Sequence, residues 1–201
     1  MLCKQPVLII LLIVLSAFSV QVSKPQLVKW VVMKGGSLKV DGSTNINKFN
    51  CVIANYAKPD TIIIQKNSTR ESLPVSGSIR LDVQNFDCHN PVMTSDLRKT
   101  LKAKEYPKLV IRFINLNNYP DFEARQDQIR GAVAIELAGV NKRFEVDYKV
   151  ISIGDKVINL IGTRQVRFSD FNIVPPRKIG GMIQTNNELD VVFNLRLKVI
   201  E

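Results

Sequence analysis

Apolar and polar residues alternate along most of this chain, and a period of two residues is typical of β-strands that bury one face. Ile79 and Leu81 alternate with polar neighbours, as do several apolar residues between positions 108 and 113. The most regular run covers residues 189–199, where every second residue is apolar and most of the others are polar. Long strands with one apolar face are typical of barrels or large sandwiches. The pattern therefore predicts an all-β fold.

The pattern also predicts a hairpin between two alternating runs. Apolar residues share one face of residues 129–137, a turn is expected at residues 138–141, and residues 144–150 alternate again. Adjacent runs joined by a short turn that contains glycine form antiparallel pairs. Long loops are expected at residues 66–76, 117–128 and 175–187.

A single segment, residues 94–103, has helical rather than strand spacing. Leu97 and Leu101 are four residues apart, and Thr94 or Ser95 can cap the start. Pro107 follows closely and would stop a helix. We therefore expect one short amphipathic helix.

The first residues are similar to a secretory signal peptide. Lys4 supplies the positive charge, and an uncharged run from Val7 to Val22 follows it. Ala17 and Ser19 place small residues where a signal peptidase needs them. We expect residues 1–19 to be removed and the domain to be periplasmic or secreted. An uncleaved membrane anchor is the alternative, and it would also place the domain outside the cytoplasm.

Two cysteines, Cys51 and Cys88, remain after such a cleavage. In an oxidising compartment a pair of this kind is typical of one disulfide, and two buried free thiols are the alternative. The chain has a single histidine, His89, which excludes metal sites built on several imidazoles. No metal site and no cofactor are predicted.

The chain is basic, with 28 Lys and Arg against 18 Asp and Glu and a formal net charge of +10. These residues are dispersed among apolar ones rather than gathered into a run. This distribution favours a solvated outer face over a nucleic-acid surface. Peripheral contact with an anionic membrane is the functional alternative.

No sequence motif for a nucleophile elbow, a zinc protease or a phosphate loop is present. Asp87 and Asp96 lie near His89 in sequence, but a solvated loop explains them without chemistry. Asp170 and His89 are the only candidates for an acid-base role. We therefore predict no catalytic residues and a protein that is not an enzyme.

Four segments in order resemble the YceI-like family of lipid-binding proteins. Residues 38–45 are similar to its opening strand and turn, and residues 93–113 are similar to its helix, Tyr-Pro stop and next strand. Residues 131–144 resemble its hairpin, and residues 168–176 with 189–197 resemble its closing segment. Asn172 departs from the glycine that many members have.

The resemblance implies an antiparallel, lipocalin-like β-barrel of about eight strands with one short helix, spanning residues 35–201. Residues 20–34 have no clear counterpart and are either an additional strand or a linker. The Cys51 and Cys88 pair also resembles a subgroup in which the two are linked.

The implied function is non-catalytic binding of a long apolar lipid, a polyisoprenoid or similar amphiphile, outside the cytoplasm. A barrel filled with side chains is the alternative, and it would bind anionic surfaces or a partner protein through its basic face. Alternation selects inward-facing candidates for the lining of a lipid site, and these are Ile79, Leu81, Leu109, Ile111, Phe113, Val133, Ile135, Leu137, Phe144, Val146, Phe168, Val191, Phe193 and Leu195.

Overall fold

The structure, a computed structural model, describes residues 26–66 and 72–200. The predicted signal peptide lies outside the described residues. The strands are β1 (Gln26–Val32), β2 (Gly36–Thr44), β3 (Lys48–Tyr56), β4 (Thr61–Lys66), β5 (Leu73–Ser76), β6 (Ser78–Asp82), β7 (Lys108–Leu116), β8 (Gln126–Leu137), β9 (Val140–Gly154), β10 (Val157–Arg167), β11 (Arg177–Lys178) and β12 (Ile183–Ile200). One α-helix, α1 (Pro91–Thr100), lies between β6 and β7. Within the described ranges, no helix is long and apolar enough to cross a membrane.

Eight antiparallel strands close into a barrel, in the order β1, β4, β5, β7, β8, β9, β10 and β12. Closure is made by β1, which pairs with β4 on one side and with the last residues of β12 on the other. Closing the sheet removes the exposed edges that an open sheet would carry. The predicted all-β antiparallel barrel with one helix is confirmed.

The segment before residue 35 contributes to this closure. β1 begins at Gln26, so the barrel starts before residue 35, where the resemblance to the YceI-like family begins. Trp30 pairs with Ile62 of β4 and with Val199 of β12, and its side chain is 1% exposed. Residues 26–32 of this segment form a strand, and residues 20–25 lie outside the described residues.

The apolar face of each long strand forms one continuous core. Val146 and Tyr148 on β9 and Leu195 and Leu197 on β12 are all buried, while their sequence neighbours are exposed or half-buried. This is the consequence of the period of two, which sends alternate side chains into the barrel. The predicted inward faces of β9 and β12 are thus in place.

An aromatic cluster closes one end of the barrel. The loop that joins β7 to β8 brings Tyr119 and Phe122 over Trp30, with ring centroids 6.2 and 6.3 Å from the Trp30 ring. Tyr119 and Phe122 also pack edge to face at 5.3 Å. We call this the sealed end, defined by these three residues.

Local chemistry corrects several predicted boundaries. The helix begins at Pro91 rather than at residue 94, because Asn90 accepts bonds from the backbone N–H groups of Val92 and Met93. Thr94 instead accepts a bond from the backbone N–H of Cys88 with its hydroxyl. Proline is favoured in the first helical turn, where its missing N–H leaves no bond unmade. The predicted cap was therefore wrong.

All three predicted loops contain strand residues, and β8 starts at Gln126 within the loop expected at residues 117–128. β5 occupies the last part of the loop expected at residues 66–76, and β12 starts at Ile183 within the loop expected at residues 175–187. β5 pairs with the preceding β4 and with the more distant β7, and the start of β12 pairs with the adjacent β11 and with the distant β2. Local patterns do not show the pairings with β7 and β2. The β8–β9 hairpin turns in two residues, Ala138 and Gly139, because both have positive φ, at 51° and 81°.

Candidate functional site

The end of the barrel opposite the aromatic cluster is split. β12 pairs with β1 through its last residues but with β2 through residues 189–194. β7 likewise pairs with β5 near its end and with β6 near its start. In the described part of the chain, β2 and β3 therefore diverge from β6 at this end. We call it the split end, defined by β2, β3, β6 and α1.

The disulfide and a backbone bridge hold the split together. Cys51 of β3 is bonded to Cys88, three residues before α1. Next to it, Val52 and Asp87 exchange two backbone hydrogen bonds, 2.8 and 2.9 Å long. The predicted disulfide is confirmed. It anchors the start of α1 to β3, so the helix lies across the gap.

Beneath α1 lies a cavity of about 70 Å³ that is lined by apolar side chains and by Arg167, whose polar atoms do not reach the cavity surface. Leu97 contributes from α1, and Leu101 contributes from the position directly after it. Leu38 and Val40 contribute from β2, and Phe49 from β3. Some of its lining side chains are half-buried rather than fully buried. An apolar cavity of this kind favours hydrocarbon over water, because water there would lack hydrogen-bond partners.

A second, outer groove of about 370 Å³ adjoins this cavity. It runs between α1, the β2–β3 turn and the start of β12, with Ile46, Met93 and Ile183 among its walls. Four residues line both spaces: Phe49, Cys51, Leu97 and Phe168. These side chains are the partition between the groove and the cavity.

The fourteen predicted lining residues separate into two sets along the barrel. Six of them line the cavity at the split end: Leu109, Ile111, Ile135, Leu137, Phe168 and Val191. The other eight are buried in the filled part of the barrel: Ile79, Leu81, Phe113, Val133, Phe144, Val146, Phe193 and Leu195. Alternation identifies the inward face of a strand but not the height along the barrel at which space remains.

Sequence reasoning missed several residues that line the cavity. Leu38, Val40 and Leu189 belong to alternating runs, so their strand pattern could have identified them. Phe86 and Ile173 lie outside the strands and carry no periodic signal. Only the folded chain brings these loop residues to the cavity wall.

Asp170, one of the two acid-base candidates, has a structural role beside the cavity. Its carboxylate accepts bonds from the Lys142 ammonium at 2.6 Å and from the Arg167 backbone N–H at 2.8 Å. Burial raises the pKa of Asp170, but these bonds and the charges of Lys142 and Arg167 outweigh it and lower the pKa below its usual value. A carboxylate held ionised in this way is poorly suited to donate a proton at neutral pH.

The other candidate, His89, lies on the outer side of α1 in an exposed polar cleft with Asn90, Arg98 and Lys102. Its backbone has a positive φ of 58°, and its N–H donates to Asp87. Within residues 26–66 and 72–200, no group of three or more His, Cys, Asp or Glu side chains could hold a metal ion.

The chain matches no model of a known protein family, and no curated protein matches it either. Solved structures do match. BcnA of Burkholderia cenocepacia aligns with a TM-score of 0.57 at 15% identity, over 83% of this chain and 96% of that one. A polyisoprenoid binding domain from Saccharophagus degradans aligns with a TM-score of 0.60 at 10% identity, over 85% and 98%.

The YceI protein of Campylobacter jejuni aligns with a TM-score of 0.51 at 13% identity, over 69% of this chain and 80% of that one. The fold is that of the YceI-like proteins. The resemblance predicted from the sequence motifs is thus confirmed for the fold. Asn172, where many family members have glycine, has a left-handed backbone with φ of 54°. Asparagine tolerates this conformation better than most residues, so the chain makes this turn without a glycine.

Proposed function

We propose that the chain binds one long apolar lipid, a polyisoprenoid or similar amphiphile, at the split end and carries it without chemical change. The main support for this proposal is the cavity beneath α1, whose exposed surface is apolar. Each methylene group that a lipid buries there contributes about 0.8 kcal/mol. A long chain can therefore bind tightly with few polar contacts.

The cavity alone accommodates only a short stretch of hydrocarbon, so the lipid must also occupy the outer groove. The partition between the two spaces consists of side chains rather than paired backbone, and Phe49 and Leu97 are only half-buried. Rotation of these two side chains would join the cavity to the groove. The similar fold of a polyisoprenoid binding domain supports an isoprenoid as the class of lipid.

We also propose that binding takes place outside the cytoplasm. The support is the signal-like sequence before residue 20 together with the Cys51–Cys88 disulfide, since disulfides persist in oxidising compartments. Fractionation of the native cells tests this: the chain should be found in the envelope or the medium and should begin after Ser19. A cytoplasmic, reduced protein would contradict the proposal.

Lipid binding is tested by native mass spectrometry of the chain purified from its native envelope under mild conditions. We expect one lipid per chain with a repeating five-carbon unit. The emptied protein, incubated with detergent-solubilised solanesol, should take up one molecule. A protein that is purified without lipid and does not take up solanesol would favour the alternative of a filled barrel, which binds its partners through the basic outer face.

A pair of adjacent substitutions on β12 sharpens this test. Val191 lines the cavity, whereas Val192 is next to it and points to the other face of the strand. Val191→Phe should fill the cavity and reduce solanesol uptake at least about tenfold, while Val192→Phe should leave uptake unchanged. Equal uptake by both folded variants would show that this cavity does not hold the lipid.

A further inference from the structure

We propose that the rim of the outer groove is a docking surface for an anionic lipid bilayer, which places the groove directly against the source of its lipid. The rim consists of the β2–β3 turn, the start of α1 and the segment before β12. This inference rests on the proposed lipid-binding function, because it assigns the groove as the route that the lipid takes.

Large apolar side chains project from this rim into solvent. Ile46, Val92, Ile179 and Met182 are 66, 69, 66 and 67% exposed. Ile46 and Val92 also line the groove, so the exposed surface continues into the apolar wall. Exposed apolar residues beside a ligand groove are typical of a surface that another apolar phase covers.

Polar contacts hold the three parts of the rim together. The side-chain amide of Asn45 donates to the Met182 carbonyl at 2.9 Å and accepts from the Gln184 backbone N–H at 3.0 Å. Lys178 forms an ion pair with Asp96 of α1 at 2.6 Å. The β2–β3 turn and α1 are thus both tied to the segment that carries Ile179 and Met182, and the apolar side chains form one patch.

The charge of the rim fits an anionic bilayer. Residues 43–49 and 174–187 contain Lys48, Arg177 and Lys178 and no carboxylate. Asp96 on α1 is compensated by Lys178, and Arg98 and Lys99 follow it on the helix. Apolar residues that insert into the interface, flanked by cations that contact anionic headgroups, bind bilayers through both interactions.

The test is sedimentation of the full chain with vesicles of phosphatidylcholine, with and without phosphatidylglycerol. We expect preferential partition to the anionic vesicles, weakened but not abolished by high salt. The variant I46S/V92S/M182S should partition at least about tenfold less. Its matched control is L27S/I153S/I200S, three exposed apolar residues near the other end of the barrel, which should stay within about twofold of wild type.

A second pair of variants separates charge from apolar contact. K48Q/R177Q should reduce binding to anionic vesicles about tenfold and leave binding to neutral vesicles unchanged. The control K149Q/K198Q removes exposed cations from the barrel wall and should reduce binding to anionic vesicles less. Equal losses for the rim and control variants would overturn the rim assignment. The assignment would also be overturned if the wild-type chain formed a dimer that did not bind vesicles and the variant I46S/V92S/M182S were a monomer. The patch would then bind a second copy of the chain.

Solanesol uptake from detergent distinguishes this inference from the proposed function. The variant K48Q/R177Q changes no residue of the groove lining, so it supports both if it still takes up solanesol from detergent but binds anionic vesicles about tenfold less. If the wild-type chain binds vesicles through the rim but does not take up solanesol, the result contradicts the proposed lipid binding and supports the docking surface. Uptake of solanesol without any vesicle binding contradicts the docking surface alone.

Discussion

The two ends of the barrel use aromatic residues in opposite ways. At the sealed end, Trp30, Tyr119 and Phe122 pack on one another and fill the space between the strands. At the split end, Phe49 is half-buried between a cavity and a groove. The strand pairing differs too, because β12 and β7 change partners between the two ends and α1 lies across the gap that results.

This contrast indicates that the two ends of one core have different roles, stability at the sealed end and ligand space at the split end. Dense packing at the sealed end supplies stability, because tightly packed side chains lose contacts when any of them is removed. The split end forgoes part of that packing and retains space for a ligand. A protein that binds hydrocarbon in its own core needs both.

The largest expected effect comes from removing the aromatic residue at each end. Trp30→Ala should lower the free energy of unfolding by about 4 kcal/mol, because it opens a large hole in a filled region. Phe49→Ala should cost about half as much, since Phe49 already borders open space. Urea denaturation of both variants measures the difference, and equal losses would contradict the contrast between the ends.

Loss of the disulfide should affect the split end more than the sealed end. The Cys51–Cys88 bond spans 37 residues of sequence, and Cys51→Ala/Cys88→Ala should lower the free energy of unfolding by about 3 kcal/mol. Amide hydrogen exchange should rise in α1 and β3 well before it rises in β1. Uniform exchange across the barrel would mean that the bond does not hold α1 specifically.

Two glycines that each face a cross-strand phenylalanine provide a matched pair. A methyl group on Gly162 would come within 2.2 Å of the Phe193 ring, and one on Gly42 within 2.4 Å of the Phe49 ring. Phe193 is held by Phe113 and Tyr148, so Gly162→Ala should cost about 2 kcal/mol.

Gly42→Ala should cost about 1 kcal/mol or less, because Phe49 can rotate toward the groove. Thermal unfolding of the two variants makes the comparison. A larger loss at Gly42 than at Gly162 would show that Phe49 is not free to move, which would also weaken the proposed route into the cavity.

The smallest effect concerns Asp170, whose pKa is lowered in the folded protein. Its ionised form therefore stabilises the fold above the usual carboxyl pKa of 3.8, and this contribution is lost as the pH falls through the folded-state value. Asp170→Asn should cost about 1 kcal/mol at pH 7, and the difference should shrink below about pH 4.

Asp147→Asn is the matched control for Asp170→Asn. Asp147 pairs with Arg130, but both side chains are largely exposed, so the loss should be only about 0.3 kcal/mol. Stability curves against pH for the two variants test this. A pH-independent cost for Asp170→Asn would show that shape rather than charge is responsible.

Much of the fold was predictable from the chain, and the site was predictable only in part. The alternation of β9 and β12 is long and regular, so local sequence was enough to assign these strands and their inward faces. β5 has only four residues, pairs with the preceding β4 and with the more distant β7, and was predicted as a loop. Short strands carry too few periods for a pattern to be seen.

The sequence by itself determined which side chains face inward, because a pleated strand alternates its faces whatever its partners are. It also contained the family motifs, the cysteine pair and the helix. Only the tertiary structure decided that the barrel is filled around Phe193 and hollow beneath Leu97, and that Ile46 and Met182 share one rim. Free volume and exposed patches depend on how distant segments pack together, and no local pattern encodes that distance.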